Sequence, residues 1–241
     1  QFLECGDDRF WSNGLSAAEV IERVPPNAQV IGLSCMFSHE WPLSRDLLEH
    51  LRDRFPDALV VVGGEHATAL PQVVLGNGSV VDVVVAGEGE IALCAVVAHR
   101  HDPTALASLP GVVIRDGVAT GGIASGPQAV RFLEVGELPR PAWDLLPIDA
   151  YLDRGFGFGV HRGRSMPIVA TRGCPYQCTF CSSPAMWTTR WVARPPGEVL
   201  DEIEHYLEEY GASNIDFYDL TAIVRRSWII EFCELIHERG L

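Results

Sequence analysis

The chain has 241 residues and is 47% hydrophobic, which fits one large or two small domains with a packed core. Its formal net charge of −14 argues against non-specific binding to nucleic acid or to an anionic membrane, and no apolar run approaches the ~20 residues of a membrane span. All 18 basic residues are arginine, so this sequence offers no lysine nucleophile or Schiff base. The sequence starts at Gln1 without a signal-peptide pattern, and we expect it to begin partway into a longer protein.

The N-terminal half alternates between strand and helix patterns. The predicted strands are 30–34, 59–62 and 80–85, the predicted helices are 41–54, 67–75 and about 90–100, and an Asp-Gly turn predicts a hairpin over 112–120. Continuous β-branched strands, each followed by a helix, indicate a parallel sheet that is covered on both faces. In such a sheet a ligand lies beyond the carboxyl ends of the strands, which here are residues 34–39, 63–68 and 86–90.

Residues 126–165 have the composition of a linker. The prolines at positions such as 127, 139, 141 and 147 predict a stiff stretch without regular structure over residues 126 to about 147. The glycine-rich run within residues 151–164 fits either a loop near an active site or a plain surface loop, and it lacks the strand-to-helix setting of a phosphate-binding loop.

Residues 166–241 predict two further strand–helix units. The strands are 167–170 and 214–219, and the helices end at Gly211 and Gly240, which act as stop signals. A closed barrel of eight such units takes ~250 residues, so we expect the barrel to continue beyond residue 241.

Three cysteines follow the first of these strands at the spacing C-x3-C-x2-C: Cys174, Cys178 and Cys181. Thiolates bind soft metals and hold iron–sulfur clusters, and three of them leave one iron of a four-iron cluster open for a small molecule. A structural zinc site normally uses four protein ligands, and no histidine or fourth cysteine lies near enough in sequence to complete one. The remaining cysteines, at 5, 35, 94 and 233, lack metal spacing and are interpreted as small buried hydrophobic residues. Free thiols and an oxygen-labile cluster both favour a reducing cytoplasm.

The cysteine spacing, with Phe180 before the last cysteine, resembles the signature of the radical SAM enzymes. The runs 32–34, 62–68 and 84–90 are similar to the cobalamin-binding domain that precedes the barrel in one branch of that family. The resemblance implies an α/β fold in three parts. These are a Rossmann-like parallel-sheet cobalamin-binding domain (1–125, shortened at its start), a Pro/Gly-rich linker (126–165) and the first part of a radical SAM (βα) partial TIM barrel (166–241).

The same resemblance implies three cofactors: a [4Fe–4S] cluster on the three motif cysteines, S-adenosylmethionine, and cobalamin. The residues it places at the cofactors are Ser34, Gly63, Gly64, Glu65, His66, Thr68, Gly87, Glu88, Gly89, Tyr176, Phe180 and Asp219. Alternatives stay open for three of them: a hydrogen-bonded loop histidine for His66, and helix capping for Glu88 and for Asp219. The D-x-H-x-x-G motif that supplies an axial histidine to cobalt in many cobalamin proteins is absent, which leaves the lower axial ligand open.

The function implied is reductive cleavage of S-adenosylmethionine at the cluster, with methyl transfer to an unactivated carbon as the first expectation. The alternatives are an oxidative cyclase or ring-rearranging enzyme, a radical SAM enzyme whose first domain no longer binds cobalamin, and a non-catalytic iron–sulfur or zinc module. The expected partners are a small-molecule substrate and a flavodoxin- or ferredoxin-like reductant, without nucleic acid or a membrane span. Catalytic residues that act on the substrate are not predicted.

Overall fold

The computed structural model describes residues 15–116, 122–131, 135–155 and 162–241, together with the backbone of residues 2–5 and 8–11. The chain divides into two compact units, Gln1–Phe132 and Leu133–Leu241. The division falls inside the segment predicted to be a linker. Among the described residues, no helix is both long enough and apolar enough to cross a membrane.

The first unit is an α/β domain. In chain order it contains β1 (Phe2–Cys5), β2 (Asp8–Trp11), α1 (Ala17–Arg23), β3 (Val30–Ser34), α2 (Trp41–Arg54), β4 (Leu59–Gly63), α3 (Glu65–Ala69), α4 (Pro71–Val74), β5 (Val83–Val85), α5 (Gly89–Ala98), α6 (Pro103–Ser108), β6 (Val112–Arg115) and β7 (Ile123–Ser125). Strands β1 and β2 form a separate antiparallel hairpin.

Five strands form the sheet of the first unit in the order β3-β4-β5-β6-β7. The first three are parallel, with Val30 opposite Leu59 and Val61 opposite Val83, and β6 and β7 continue the sheet antiparallel. Alternate positions of the central strands point to opposite faces. Val60 therefore packs in a core with Leu48 of α2, whereas Val61 packs in a second core with Val96 of α5. The predicted parallel sheet with helices on both faces is confirmed.

Local details of the first unit differ from the sequence prediction at two places. The helix predicted over 67–75 is split into α3 and α4, because Pro71 has no N–H and disfavours helical backbone at Leu70, whose φ and ψ are −133° and 51°. The third strand is short and begins at Val83, although Val81 is buried. The predicted Asp-Gly turn of the hairpin lies outside the described residues.

The second unit contains the two predicted strand–helix units and additional short elements. Its elements are α7 (Ile148–Arg154), β8 (Ser165–Ile168), β9 (Thr171–Arg172), α8 (Ser183–Trp187), β10 (Val192–Ala193), α9 (Pro196–Tyr210), β11 (Asn214–Phe217) and α10 (Arg226–Arg239). Strands β8 and β11 are parallel, with Phe217 opposite Ile168. Ile168, Leu200 of α9 and Trp228 of α10 share one buried core. Gly211 and Gly240 end the two long helices in left-handed conformation, as predicted.

The segment before β8 contains a helix. Helix α7 lies inside residues 126–165 and begins directly after the proline-rich stretch 126–147, for which no regular structure was predicted. Arg164 fixes this helix: its guanidinium contacts the carboxylates of Asp149 and Asp153 and donates to the carbonyl of Tyr210 at 2.8 Å. The segment is therefore docked on α9 rather than extended.

Candidate functional site

The loops after β3 and β4 are locked together at a glycine. Gly64 has φ 93°, and a Cβ at this position would lie 2.5 Å from the carbonyl oxygen of Cys35. Cys35 N donates to Gly63 O at 2.9 Å, and His66 N donates to Cys35 O at 3.2 Å. Only glycine allows two backbones to approach this closely. The close packing of the two loops explains why residue 64 is a glycine. A Cβ at Gly63 would make only an ordinary van der Waals contact, so packing does not require a glycine there.

Thr68 joins the loop after β4 to the loop after β5. Its hydroxyl donates to Gly64 O and accepts from Gly87 N, both at 2.9 Å. The hydroxyl therefore uses its O–H donor and one of its two acceptor lone pairs inside the protein. The structure brings the predicted residues of these loops together and makes Thr68 a connector between them. Its predicted contact with a cofactor stays a prediction.

His66 is buried beneath the loop after β3. The residue is 4% exposed, its ring centre lies 5.3 Å from that of Trp41, and its Nδ1 is 2.9 Å from Ser38 Oγ. Burial lowers the pKa of His66, which favours the neutral imidazole at pH 7. Its Nε2 has no hydrogen-bond partner among the described residues. This is an unsatisfied polar atom next to the predicted ligand loops, but it is itself shielded and must become accessible before a cofactor could reach it.

Glu88 precedes α5 and is also buried, with 8% exposure. Its carboxylate faces Arg131, with 3.7 Å between Oε1 and Nε, and its side chain makes no capping bond to α5. Glu88 thus occupies the N-cap position of α5, and the capping alternative is supported by this position but not by a side-chain hydrogen bond. Ser34 is exposed at the end of β3, Glu65 begins α3, and Gly89 has open space where a Cβ would lie. These positions leave room for a ligand at the carboxyl edge of the sheet.

The three motif cysteines follow β9 on one loop of the second unit, and all three are free thiols. Cys174 is half-buried and accepts a hydrogen bond from Thr221 Oγ1 at 3.1 Å, whereas Cys178 and Cys181 are exposed. Cys181 Sγ accepts from Ser183 N at 3.4 Å. In the part of the chain that the structure describes, no three histidine, cysteine or acidic side chains are gathered closely enough to hold a metal ion. The three sulfurs therefore do not form a preassembled tripod.

The aromatic residues of this loop are exposed, Tyr176 by 61% and Phe180 by 91%. Their side chains are open to a ligand, and their assignment as cofactor contacts stays a prediction.

The cysteines outside the motif differ in burial. Cys94 and Cys233 were predicted to be buried but are exposed, so that prediction is wrong for them, whereas Cys35 is buried as expected. Cys94 and Cys233 lie on α5 and α10, where burial depends on which helix face meets the sheet.

Asp219 joins the ends of the two parallel strands. Its carboxylate accepts from Thr171 Oγ1 and from Ala170 N, the latter at 3.2 Å. Burial raises the pKa of Asp219, against the lowering effect of these hydrogen bonds. Helix α10 begins at Arg226 without a side-chain capping bond, so Asp219 does not cap it. The carboxylate is held beside the start of the cysteine loop, and its role toward an ammonium group stays a prediction.

A cavity of ≈ 370 Å³ lies beside β8 within the second unit. Its apolar wall includes Val135, Pro139 and Val169. The buried ion pair between Arg194 Nη1 and Glu202 Oε2, at 2.6 Å, lies at its polar end. Arg194 precedes α9, and Glu202 lies among the buried residues of that helix, a burial that the sequence did not predict.

A model of the B12-binding domain matches residues 13–97, which span β3, β4, β5 and their loops. The cobalamin-dependent radical SAM methyltransferase TokK of Streptomyces tokunonensis is 32% identical over 157 residues, covering 63% of this chain and 21% of the relative. The chain belongs to the cobalamin-binding branch of the radical SAM family.

Other members give the same assignment. The anaerobic magnesium-protoporphyrin IX monomethyl ester cyclase of Cereibacter sphaeroides is 33% identical over 202 residues, covering 83% of this chain and 31% of the relative. The solved cobalamin-dependent S-adenosylmethionine radical enzyme OxsB, with aqua-cobalamin and S-adenosylmethionine bound, matches 95% of this chain and 31% of its own with a TM-score of 0.76 at 19% identity, which shows the fold. The predicted family and α/β fold class are confirmed. The chain spans about a third or less of these relatives' length.

The residues of both loop systems fit the groups that the family uses. The donor set on the cysteine loop is three free thiols, with a hydroxyl and a backbone amide directed at two of the sulfurs. Soft thiolate ligands suit iron–sulfur clusters. The sulfurs must come together when a cluster binds, and the exposure of Cys178 and Cys181 permits this. On the first unit, the open space at Gly89 and the unsatisfied His66 Nε2 fit a ligand beyond the strand ends.

Proposed function

We propose that this chain is part of a cobalamin-dependent radical SAM enzyme that cleaves S-adenosylmethionine reductively and transfers a methyl group to an unactivated carbon of a small molecule. The observation that carries the proposal is the free C-x3-C-x2-C loop directly after the short strand β9, which follows the parallel strand β8, in a chain that also carries a B12-binding domain. A reductant of the flavodoxin or ferredoxin type would supply the electron. The cluster, when bound, supplies one-electron reduction of the sulfonium, and cobalamin supplies a carrier for the methyl group.

The residues of this chain bind, position and shield. Cys174, Cys178 and Cys181 are the proposed cluster ligands, and Tyr176 and Phe180 shape the loop around them. Asp219 is the candidate acceptor for the ammonium group of S-adenosylmethionine. Its carboxylate is already oriented by Thr171 and Ala170, so it needs little reorganisation to accept another hydrogen bond.

On the first unit, the proposed cobalamin-binding residues are Ser34, Gly63, Gly64, Glu65, His66, Thr68, Gly87, Glu88 and Gly89. Thr68 and Gly64 hold the loops after β3, β4 and β5 in one arrangement, so that backbone amides at the strand ends are presented together. Ser34 and Gly89 lie at the open positions of that edge. A preformed edge of this kind reduces the conformational entropy that ligand binding must overcome.

The test of the cluster is anaerobic reconstitution of the intact protein with iron and sulfide. We expect about four irons per chain and a paramagnetic signal after reduction that shifts when S-adenosylmethionine is added. A variant with all three motif cysteines changed to alanine should bind no cluster. Cys233→Ala, which removes an exposed thiol from α10, should behave as the wild type. A tetrahedral zinc site, or a signal insensitive to S-adenosylmethionine, would contradict the proposal and favour a non-catalytic metal module.

The test of the reaction is a product assay with S-adenosylmethionine that carries an isotope-labelled methyl group. Label in the product supports methyl transfer, and retention of a corrinoid by the intact protein supports the role of the first unit. A cyclase is the second candidate, because the relative that covers 83% of this chain is named as one. A ring-closed product without label would decide for the cyclase.

A further inference from the structure

The loop between β11 and α10 brings a hydroxyl group onto one of the motif sulfurs. Thr221 Oγ1 donates to Cys174 Sγ at 3.1 Å, although 47 residues separate the two positions in the chain. The hydrogen bond to Cys181 comes instead from the backbone of Ser183, two residues further along the chain at the start of α8. Thr221 therefore offers a contact that a substitution can remove without changing the cysteine loop itself.

Thr221 is held in place through its backbone. Its carbonyl oxygen accepts from Trp191 Nε1 at 3.0 Å and is 3.4 Å from Thr171 Oγ1, while the guanidinium of Arg225 lies 5.4 Å from the centre of the Trp191 ring. These contacts do not use the Thr221 hydroxyl. The side chain is thus oriented by a packed neighbourhood, and its O–H points at sulfur at a distance short for a bond to that atom.

We propose that Thr221 is a positioning residue that raises the reduction potential of the cluster through its hydrogen bond to the Cys174 sulfur. The inference rests on the proposed function, because it needs Cys174 to be a cluster ligand. An O–H dipole directed at a thiolate stabilises negative charge on that sulfur. The reduced cluster carries one more electron than the oxidised cluster, so the bond favours the reduced form, and hydrogen bonds to sulfur are among the factors that set cluster potentials.

The hydrogen bond also distinguishes Cys174 from the other two motif cysteines. Cys174 is half-buried and hydrogen-bonded before any cluster is present, whereas Cys178 and Cys181 are exposed. The electron of the reduction comes from an external one-electron donor, and no covalent bond of Thr221 changes.

The experiment compares wild type, Thr221→Val, Thr221→Ser and Thr179→Val in the intact protein after anaerobic reconstitution with iron and sulfide. The valine removes the hydroxyl at nearly constant volume, the serine retains it, and Thr179→Val makes the same chemical change at an exposed position of the cysteine loop. The readout is the midpoint potential of the cluster, from a redox titration followed by paramagnetic resonance. Thr221→Val should shift the ratio of oxidised to reduced cluster at a fixed potential roughly three- to tenfold toward the oxidised form, where tenfold equals about 59 mV for one electron.

Thr221→Ser and Thr179→Val should keep the wild-type potential. An unchanged potential in Thr221→Val, or an equal shift in Thr221→Ser, overturns the inference and leaves the proposed function standing. If Thr221→Val assembles no cluster, Thr221→Ala, which is also free of the hydroxyl, provides the measurement, with the same expected sign. Failure of the wild type to assemble a cluster would overturn the proposed function and this inference together.

Discussion

The strand-end loops of the first unit and the cysteine loop of the second carry the two sets of predicted cofactor residues, and they are built differently. The loops of the first unit are held together before any ligand is present. The backbone of Gly64 packs closely against that of Cys35, and the Thr68 hydroxyl is hydrogen-bonded to Gly64 and Gly87. The cysteine loop has a fixed start at Cys174, while Cys178 and Cys181 are exposed. A ligand of the first unit would bind to strand-end loops that are already in place. A cluster on the cysteine loop would instead have to bring the three sulfurs together as it binds.

The largest effect on stability should come from Gly64→Ala, which disrupts the close contact between the loops after β3 and β4. The new Cβ would lie 2.5 Å from the carbonyl oxygen of Cys35, and the φ angle of 93° at this position is unfavourable for a residue with a side chain. We expect the free energy of unfolding to fall by about 2–5 kcal/mol, measured by urea denaturation. Gly32→Ala is the matched control, because nothing lies within 4 Å of its Cβ, and it should change stability by less than ~1 kcal/mol. Equal stability of the two variants would mean that the loop contact is not tight.

A smaller effect is expected in hydrogen exchange at the cysteine loop. If the loop closes only when the cluster binds, the amides of residues 176–180 should exchange roughly tenfold more slowly after reconstitution, while those of residues 63–68 should not respond to iron and sulfide. The variant with three alanines at the motif cysteines, treated in the same way, is the control and should show no added protection. Equal protection of both loops in the cluster-free protein would abolish the contrast between the two regions.

The smallest effect concerns Asp219 and pH. Burial raises the pKa of this carboxyl in the folded protein above its ordinary value of 3.8, so the folded state holds the proton more tightly than the unfolded chain. This group therefore favours folding at low pH and loses that contribution as the pH rises from below 3.8 through the raised folded value. Asp219→Asn does not titrate, and the stability of the variant relative to wild type should rise across that window and then level off. Urea denaturation at a series of pH values measures the difference, and a relative stability independent of pH would mean that the carboxyl is not perturbed.

Local patterns in the sequence predicted much of the fold because they act over few residues. The valine runs of β4 and β5 are continuous, as expected for strands buried on both faces, and Gly211 ends α9 because glycine adopts left-handed backbone without penalty. Pro71, which is expected either in the first turn of the 67–75 helix or at a kink in it, divides that helix and begins α4. The helix α7 was missed because proline density does not reveal the docking that Arg164 provides across the fold.

The sequence by itself determined the types of residue at the candidate site: three thiols at C-x3-C-x2-C, strand ends rich in glycine, and an acid after the second barrel strand. The tertiary structure decided which of them meet. The parallel register that sets Phe217 opposite Ile168 carries residues 219–221 to the start of the cysteine loop. Asp219 thereby reaches Ala170, and Thr221 reaches Cys174. A pairing across 47 residues depends on how two strands align in the folded chain, and no local spacing encodes that alignment.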